Sequence, residues 1–373
     1  MLHGRPGHDM TGGAMQDLTF YKGKKVFVTG HTGFKGSWLC VLLLKAGAYV
    51  TGYSLEPPTS PSLFEQAGLC DKINHVIGDV RDLDHLVKTM KETSPEIVLH
   101  LAAQPIVLES YRDPVTTYST NVMGTVNILE GVRQTPSVRS FLNVTTDKVY
   151  RNNEWCWGYR ENDPLDGFEP YSNSKSCSEL VTHSYARSLL CDGRVMISTA
   201  RAGNVIGGGD YAADRIIPDC VRDVRAGKKI FVRNPYSTRP YQHVLEPLYA
   251  YLMIAKGQYE DPKLAGSYNV GPEDSDCVTT GHLVDMFCEA YGPSASWESG
   301  AVTGPHEANF LKLDCSLLRS VYGWRNVWNV KKAVEKTVEW TKRTDAGQSA
   351  MDVCSEEIDE FFADLRTLLE VSK

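Results

Sequence analysis

Short apolar runs alternate with longer stretches of helical periodicity through most of the chain. Lys25–Thr29 (KVFVT), Ile97–Leu101 (IVLHL) and Ser140–Thr145 (SFLNVT) are apolar almost without interruption, as expected of strands covered on both faces. Tyr49–Ser54, Ile73–Ile77 and Val195–Ala200 complete a set of six predicted strands. Between them, Gly36–Ala46, Asp82–Thr93, Thr117–Arg133 and Ser172–Leu190 have helical length and spacing. This alternation predicts an α/β fold with a doubly wound parallel sheet. After Asn204 the pattern changes: Gly, Pro, Asp and Arg become frequent and helical patterns dominate towards the end. One late strand, Gly266–Gly271 (GSYNVG), is expected to rejoin the sheet.

The length of 373 residues suits two lobes better than one compact core. The pattern places a first domain at residues 21–203 and 241–273, and a smaller, mostly helical lobe at residues 204–240 and 274–373. Residues 1–20 are polar and Gly-rich and are expected to form a disordered arm. They lack the apolar stretch of a signal peptide, so a cytoplasmic location is expected. The 46 acidic residues outnumber the 39 basic ones, which argues against a nucleic-acid partner. No apolar run approaches the roughly 20 residues needed to span a bilayer. The ten cysteines form no CxxC pair and none sits at zinc-ligand spacing with a histidine. Reduced thiols and no metal site are the expectation.

The first strand runs into Gly30-His31-Thr32-Gly33-Phe34-Lys35-Gly36 and then an apolar helix. Gly30 permits a tight turn, Gly33 lets backbone approach a pyrophosphate, and Gly36 lets helix and strand pack closely. A pyrophosphate placed there sits on the helix N-terminus, where free N–H groups favour negative charge. The position, first strand to first helix, marks a Rossmann-type site for a dinucleotide. An acidic residue usually grips the ribose at the end of the second strand. Here that place holds Ser54, with Glu56 two residues on. No arginine stands there for a 2′-phosphate, so NAD is the expected cofactor. Asp79, in the GDVRD segment with Val80, is placed to accept from the adenine amino group, or to cap the following helix.

Tyr171 and Lys175 lie four residues apart on one helical face. To act as a base near neutrality a tyrosine must drop from a pKa of about 10 to about 7, roughly 4 kcal/mol. One ammonium at about 4 Å supplies on the order of 4 kcal/mol at an effective dielectric of about 20. The expectation is therefore that Lys175 alone suffices. Thr146, at the C-terminal end of the fifth strand, can polarise an oxygen being oxidised. Asp147 beside it adds an acid-base group that simple hydride transfer does not require.

Together these residues resemble the extended short-chain dehydrogenase/reductase family. The chain carries that family's TGxxGFxG loop, HLAA (His100–Ala103, so Leu101, Ala102 and Ala103 are expected to line the cofactor), NVxGT (Asn121–Thr125) and YxxxK. Asp147 after Thr146 resembles the sugar-nucleotide 4,6-dehydratases. TTDKVY, EWCWGYREND, EPYSNSK, ARAGNVIGGGD, DRIIPD and RPYQHVLEPL are similar to the CDP-glucose branch of that group, from about Phe20 to the C-terminus. The resemblance implies CDP-D-glucose as substrate, a role in deoxysugar precursors of surface polysaccharide, and a homo-oligomer paired through Thr117–Arg133 and Ser172–Leu190. It implies that Tyr171 takes the C4 hydroxyl proton, that Asp147 protonates the C6 hydroxyl as it leaves, and that Asn204 and Arg239 hold the diphosphate, with Arg215 a further phosphate contact. Related dehydratases carry a glutamate where this chain has Lys148; Lys148 and Glu154 both stand as candidates for the step at C5. Trp155, Trp157 and Tyr159 are expected either to cover the sugar or to pack in the core, and His243 to be a buried structural histidine. The rival readings are an NAD-dependent nucleotide-sugar 4-epimerase, which needs no Asp147, and a non-enzymatic dinucleotide sensor.

Overall fold

A computed structural model describes residues 18–300 and 310–371. Seven parallel strands form the main sheet: β1 (Lys25–Thr29), β2 (Tyr49–Ser54), β3 (Asn74–Ile77), β4 (Ile97–His100), β5 (Ser140–Thr146), β6 (Met196–Ala202) and a late strand, Ser267–Val270. Their order is β3-β2-β1-β4-β5-β6 with the late strand outermost beside β6. The six early strands and the late one fall where the apolar runs predict them, within two residues at each end.

The two faces of the sheet follow from period-2 alternation. Val26 and Val28 of β1, Ile97 and Leu99 of β4, and Leu142 and Val144 of β5 enter one core. Phe27, Val98 and Phe141, between them, enter the other. The second face is covered by α2 (Leu83–Thr93) and α3 (Gly124–Gln134) and flanked by α4 (Pro170–Ser188); the first by α1 (Phe34–Lys45). The segment leading into α3 is not the uniform helix that the pattern suggests. Pro114–Tyr118 is α-helical, Ser119–Met123 forms a π-helical turn, and α3 follows.

Beyond β6 the chain builds two small sheets. β7 (Asn204–Ile206) pairs parallel with β9 (Thr238–His243), which pairs antiparallel with Cys277–Thr279. β8 (Ile230–Val232) pairs with Trp297–Ser299. Their core is shared by α5 (Ile216–Arg225), the helix Thr280–Tyr291 and the helix Val330–Asp345. These strands of mostly three residues were too short for an alternation signal, so the second lobe carries more strand than expected.

Two helices assigned by sequence pattern to different lobes meet in one core. α6 (Leu245–Glu260) lies along β5 and β6, and the last helix, Ala350–Val371, packs Ile358, Phe361, Phe362 and Leu365 into the cluster that holds Leu39 and Leu42 of α1. The expected N-terminal arm lies outside the described residues except at its end, where Leu18 and Phe20 pack against this core. Among the described residues no helix is long and apolar enough to cross a membrane.

Candidate active site

Strand order reverses between β1 and β4, and the C-terminal ends of parallel strands at such a point form a crevice. Thr29 ties its two lips together: its hydroxyl accepts from the N–H of Leu101 and Ala102, both at 3.1 Å, and meets His100 Nδ1 at 2.7 Å. Gly30 takes φ +75°, and a Cβ there would stand 2.8 Å from Ala102 N. A Cβ on Gly36 would stand 2.2 Å from Gly30 O, so helix and turn are in backbone contact. Gly33 differs: a Cβ there would meet only Gly30 O, at 3.5 Å, and would project into open space in front of the helix. α1 begins at Gly33 with no side-chain cap and no acidic residue in its first turn. Free N–H groups with an open cradle fit a pyrophosphate.

Other residues expected at the cofactor sit on the neighbouring elements. Val80 is buried against Gly124, where a Cβ would come within 2.8 Å of it. The cap of α2 is Asp82, not Asp79. Asp79 pairs with Arg81 at 2.5 Å, which holds its carboxyl below the usual range. Ser54 shares a 2.9 Å hydrogen bond with Thr32, and Glu56 is exposed. Phe34 packs against the core, and a Cβ on Gly207 would lie 3.2 Å from its ring.

Lys35 turns inward, its Nζ 3.4 Å from the hydroxyl of the fully buried Tyr251. Burial, assisted by the charges of Arg215 and Lys175, lowers its pKa to about 7. The loop lysine thus stands within the electrostatic reach of Lys175 and Asp147. Tyr251, from α6, is a neighbour of Lys35 that no local sequence pattern marks.

Tyr171 opens the first turn of α4, whose cap is Glu169, with Pro170 at the first helical position. Thr146 ends β5, and its hydroxyl donates to Asp147 Oδ1 at 2.9 Å. Asp147 is fully buried. Its Oδ1 also receives Lys148 Nζ at 3.3 Å, while its Oδ2 has no hydrogen-bond partner. Lys148 reaches on to Asn204 Oδ1 at 3.4 Å. The structure therefore gathers Thr146, Asp147, Lys148, Tyr171 and Asn204 at one end of the sheet. Arg215 belongs to the same electrostatic neighbourhood, its field acting on Tyr171 and Lys35, although its Nη1 is paired with Asp210 at 3.0 Å. Arg239 is buried in β9, with Nη1 donating to Thr238 O at 3.0 Å.

The spacing of Tyr171 and Lys175 sets their distance but not the desolvation they undergo in the fold. Burial pushes the phenol up to about 12, with Asp147 and Glu169 adding to it; Thr146 and Arg215 pull the other way. Lys175 Nζ donates to Val144 O at 3.2 Å, and burial lowers its own pKa to about 8. For both groups the loss of solvation outweighs the charges and hydrogen bonds that favour the ionised form.

The aromatic insert divides. Tyr159 is core, stacked between Tyr150 and Trp155 at 5.3 Å on each side, and Trp157 is exposed. Glu154 is exposed, with φ +51°. His243 is fully buried with Nε2 2.8 Å from Glu357 Oε1, between Trp38 and Trp328, and serves packing.

A family model for GDP-mannose 4,6 dehydratase matches residues 27–344. The chain belongs to that dehydratase family. Within it, the chain is 46% identical to a CDP-glucose 4,6-dehydratase of Salmonella typhimurium, over 94% of this chain and 99% of that protein. It is 26% identical to a human dTDP-D-glucose 4,6-dehydratase, over 85% of this chain and 89% of that one. Solved structures share the fold. A dTDP-glucose 4,6-dehydratase of Bacillus anthracis in complex with NAD superposes with a TM-score of 0.71 at 20% identity, covering 88% of this chain and 99% of that one. A Thermus thermophilus UDP-glucose 4-epimerase complex with NAD gives 0.72 at 24% identity, covering 84% and 98%. The dehydratase family and the epimerase thus share one scaffold, and the side chains at its crevice must separate the two activities.

Proposed function

We propose that this chain is an NAD-dependent hydro-lyase that converts CDP-D-glucose to CDP-4-dehydro-6-deoxy-D-glucose and water. The observation that carries the reading is the near full-length 46% identity to the Salmonella CDP-glucose 4,6-dehydratase. The buried Asp147 supports it over a 4-epimerase, because dehydration needs an acid for the departing hydroxyl and epimerisation does not. NAD suits the open cradle at Gly33 and the uncapped start of α1, and Leu101, Ala102, Ala103 and Val80 would line it. When bound, NAD accepts hydride from C4 of the sugar and returns it at C6.

The chain's own residues do the proton work. Tyr171 removes the C4 hydroxyl proton, and Thr146 orients that oxygen. Oxidation at C4 acidifies the C5 hydrogen, and Asp147 protonates the C6 hydroxyl as water departs. Its unpartnered Oδ2 is the oxygen available for this. Lys148 reaches the same carboxylate, and an ammonium there is suited to stabilising the enolate oxygen formed at C4. The C5 proton passes to the Lys148 amine, which thereby becomes that ammonium, or to the carboxylate of Glu154, exposed on the insert, and the same group returns a proton to C5. Asn204, Arg215 and Arg239 are assigned to the substrate diphosphate, where the guanidinium fork suits paired oxygens. The lobe of residues 204–240 with 274–373 is assigned to the nucleotide sugar, less its last helix, which packs under the cofactor domain.

The enzyme works in the cytoplasm as a homo-oligomer in this reading. Exposed Val115, Met123 and Leu180 on the Thr117–Arg133 and α4 side supply the apolar surface for pairing.

The test follows the hydrogens. Substrate labelled with deuterium at C4 should yield product labelled at C6, and unlabelled substrate in heavy water should gain deuterium at C5. A C4 label that never reaches C6 rejects the scheme.

A further inference from the structure

Directly behind Lys175, one helical turn along α4, lies Glu179, fully buried. Its carboxylate is held by three donors from the sheet. Thr145 of β5 donates to Oε1 at 2.5 Å; Thr199 of β6 donates to Oε2 at 2.7 Å; Arg201 Nη2, also of β6, donates to Oε2 at 2.9 Å. Arg201 is itself almost fully buried, and its other arm donates to the Tyr150 hydroxyl at 2.8 Å and to Glu161 O at 2.9 Å. Removing an ion pair from water is costly, and a hydrophobic pair of the same shape is often as stable. A pair retained under a catalytic lysine therefore calls for a reason beyond packing.

The arrangement supplies one. Tyr171, Lys175 and Glu179 occupy three successive turns of one helix face. A glutamate free to rotate would pair with Lys175 and occupy its ammonium. Here both carboxylate oxygens are held by Thr145, Thr199 and Arg201, with His183 Nε2 3.6 Å from Oε2, and among the described residues Lys175 Nζ donates to Val144 O. The negative charge reaches Lys175 as a field rather than through a hydrogen bond to its ammonium.

The geometry points to Glu179 as a positioning residue, clamped by Arg201, that keeps Lys175 an ammonium with its donors directed at Tyr171 and the cofactor. The inference rests on the proton-transfer role proposed above for Tyr171 and Lys175. The other groups around Lys175 oppose it or are neutral. Lys35 from α1 is a like charge, His100 from β4 is uncharged, burial having lowered it to about 3, and His183, one turn beyond Glu179 and 3.6 Å from its Oε2, is also lowered by burial. Asp147 lies beyond Tyr171 and acts chiefly on Tyr171 and Lys35. Burial lowers Lys175 to about 8, and Glu179 is the charge that resists it. Lys175 loses its proton as pH rises through that value, so removing the Glu179 charge moves the loss to lower pH.

The test reads Lys175 directly, without turnover. The intact chain is treated with cyanate over a range of pH, and carbamylation at Lys175 is followed by peptide mass spectrometry. Glu179→Gln should lower the midpoint for Lys175 labelling by about 1 pH unit, the size of a nearby-charge effect. Glu179→Asp, which keeps the charge but withdraws it by a methylene, should shift it less in the same direction. An unchanged midpoint in Glu179→Gln overturns the inference, whatever the variant's melting temperature. If that variant does not fold, a wild-type midpoint in Glu179→Asp overturns it. The alkaline limb of the kcat/KM profile should move with the labelling midpoint. If the midpoint moves while neither protein turns over CDP-D-glucose, the positioning role stands and the substrate assignment fails.

Discussion

At the residue scale, two side chains decide what the crevice can do. Asp147→Asn keeps the shape and the acceptor for Thr146 but removes the proton donor. Dehydration should be lost while slow cofactor reduction by CDP-D-glucose persists, followed as the absorbance of the reduced nicotinamide. Unaltered dehydration would move the acid elsewhere. Tyr171 raises a different issue, because burial places its phenol at about 12. It is an acid whose charged form is disfavoured in the fold, so it is neutral at working pH until a further positive charge arrives. Oxidised NAD carries that charge on its ring. An ultraviolet titration should therefore show one phenol ionising at lower pH with NAD than without, and Tyr171→Phe should abolish the difference and cut turnover by about 10²–10⁴. Tyr171, Lys175, Thr146 and Asp147 were legible because each pair is close in sequence: four residues on a helix, or neighbours at a strand end. What stayed hidden were partners joined only by folding. Arg201 lies 22 residues from Glu179, and Tyr251 216 from Lys35. The balance between burial and charge at Tyr171 was equally unreadable, since spacing gives a distance and no dielectric.

At the element scale, the turn from β1 into α1 is specified by backbone contact. Gly36→Ala would force a Cβ to 2.2 Å from Gly30 O, and Gly30→Ala would add strain at φ +75° to a 2.8 Å contact with Ala102. Each should destabilise the chain by about 1–3 kcal/mol, as overpacking does, and weaken NAD binding further by moving the cradle. Thermal unfolding and an NAD titration check the two effects separately. Gly33→Ala is the contrast: the protein leaves room for it, so its melting temperature without NAD should stay near wild type while NAD binding falls. A Gly33→Ala chain that binds NAD normally would place the pyrophosphate elsewhere. The buried parallel strands were legible because both faces are covered and their sequence is continuously apolar. The π-helical turn at Ser119–Met123 was not, because an extra residue in one turn leaves the apolar spacing on either side intact. Nor were β7, β8 and the Cys277–Thr279 strand, at three residues each.

At the scale of the molecule, α6 and the C-terminal helices are joined through a buried carboxyl and aromatic rings in one core. Glu246, fully buried at the start of α6, accepts from the N–H groups of Val327 at 3.0 Å and Trp328 at 2.7 Å. Burial pushes its pKa up to about 8 in spite of those donors. A carboxyl with a raised pKa binds its proton more tightly in the fold than in the unfolded chain. Its contribution is therefore complete in acid and is lost as pH climbs from 4.5 towards about 8. Glu246→Gln keeps an acceptor for the same N–H groups and cannot ionise. The variant's melting temperature should vary less with pH across that interval than wild type does, and parallel curves would show that Glu246 titrates normally. Val327 and Trp328 lead directly into the helix Val330–Asp345, and Trp328 stacks edge-on against Phe361 at 5.1 Å, which lies in the core with Leu39 and Leu42 of α1. The same small region thus couples the second lobe, the last helix and the cofactor helix. Phe361→Ala removes a fully buried ring at that junction and should cost about 3–5 kcal/mol. Because the ring belongs to both sides, calorimetry should show one transition moved down as a whole. A variant whose trace splits in two, with one part at the wild-type midpoint, would mean that the lobes unfold independently and that the shared core does not bind them into one cooperative unit.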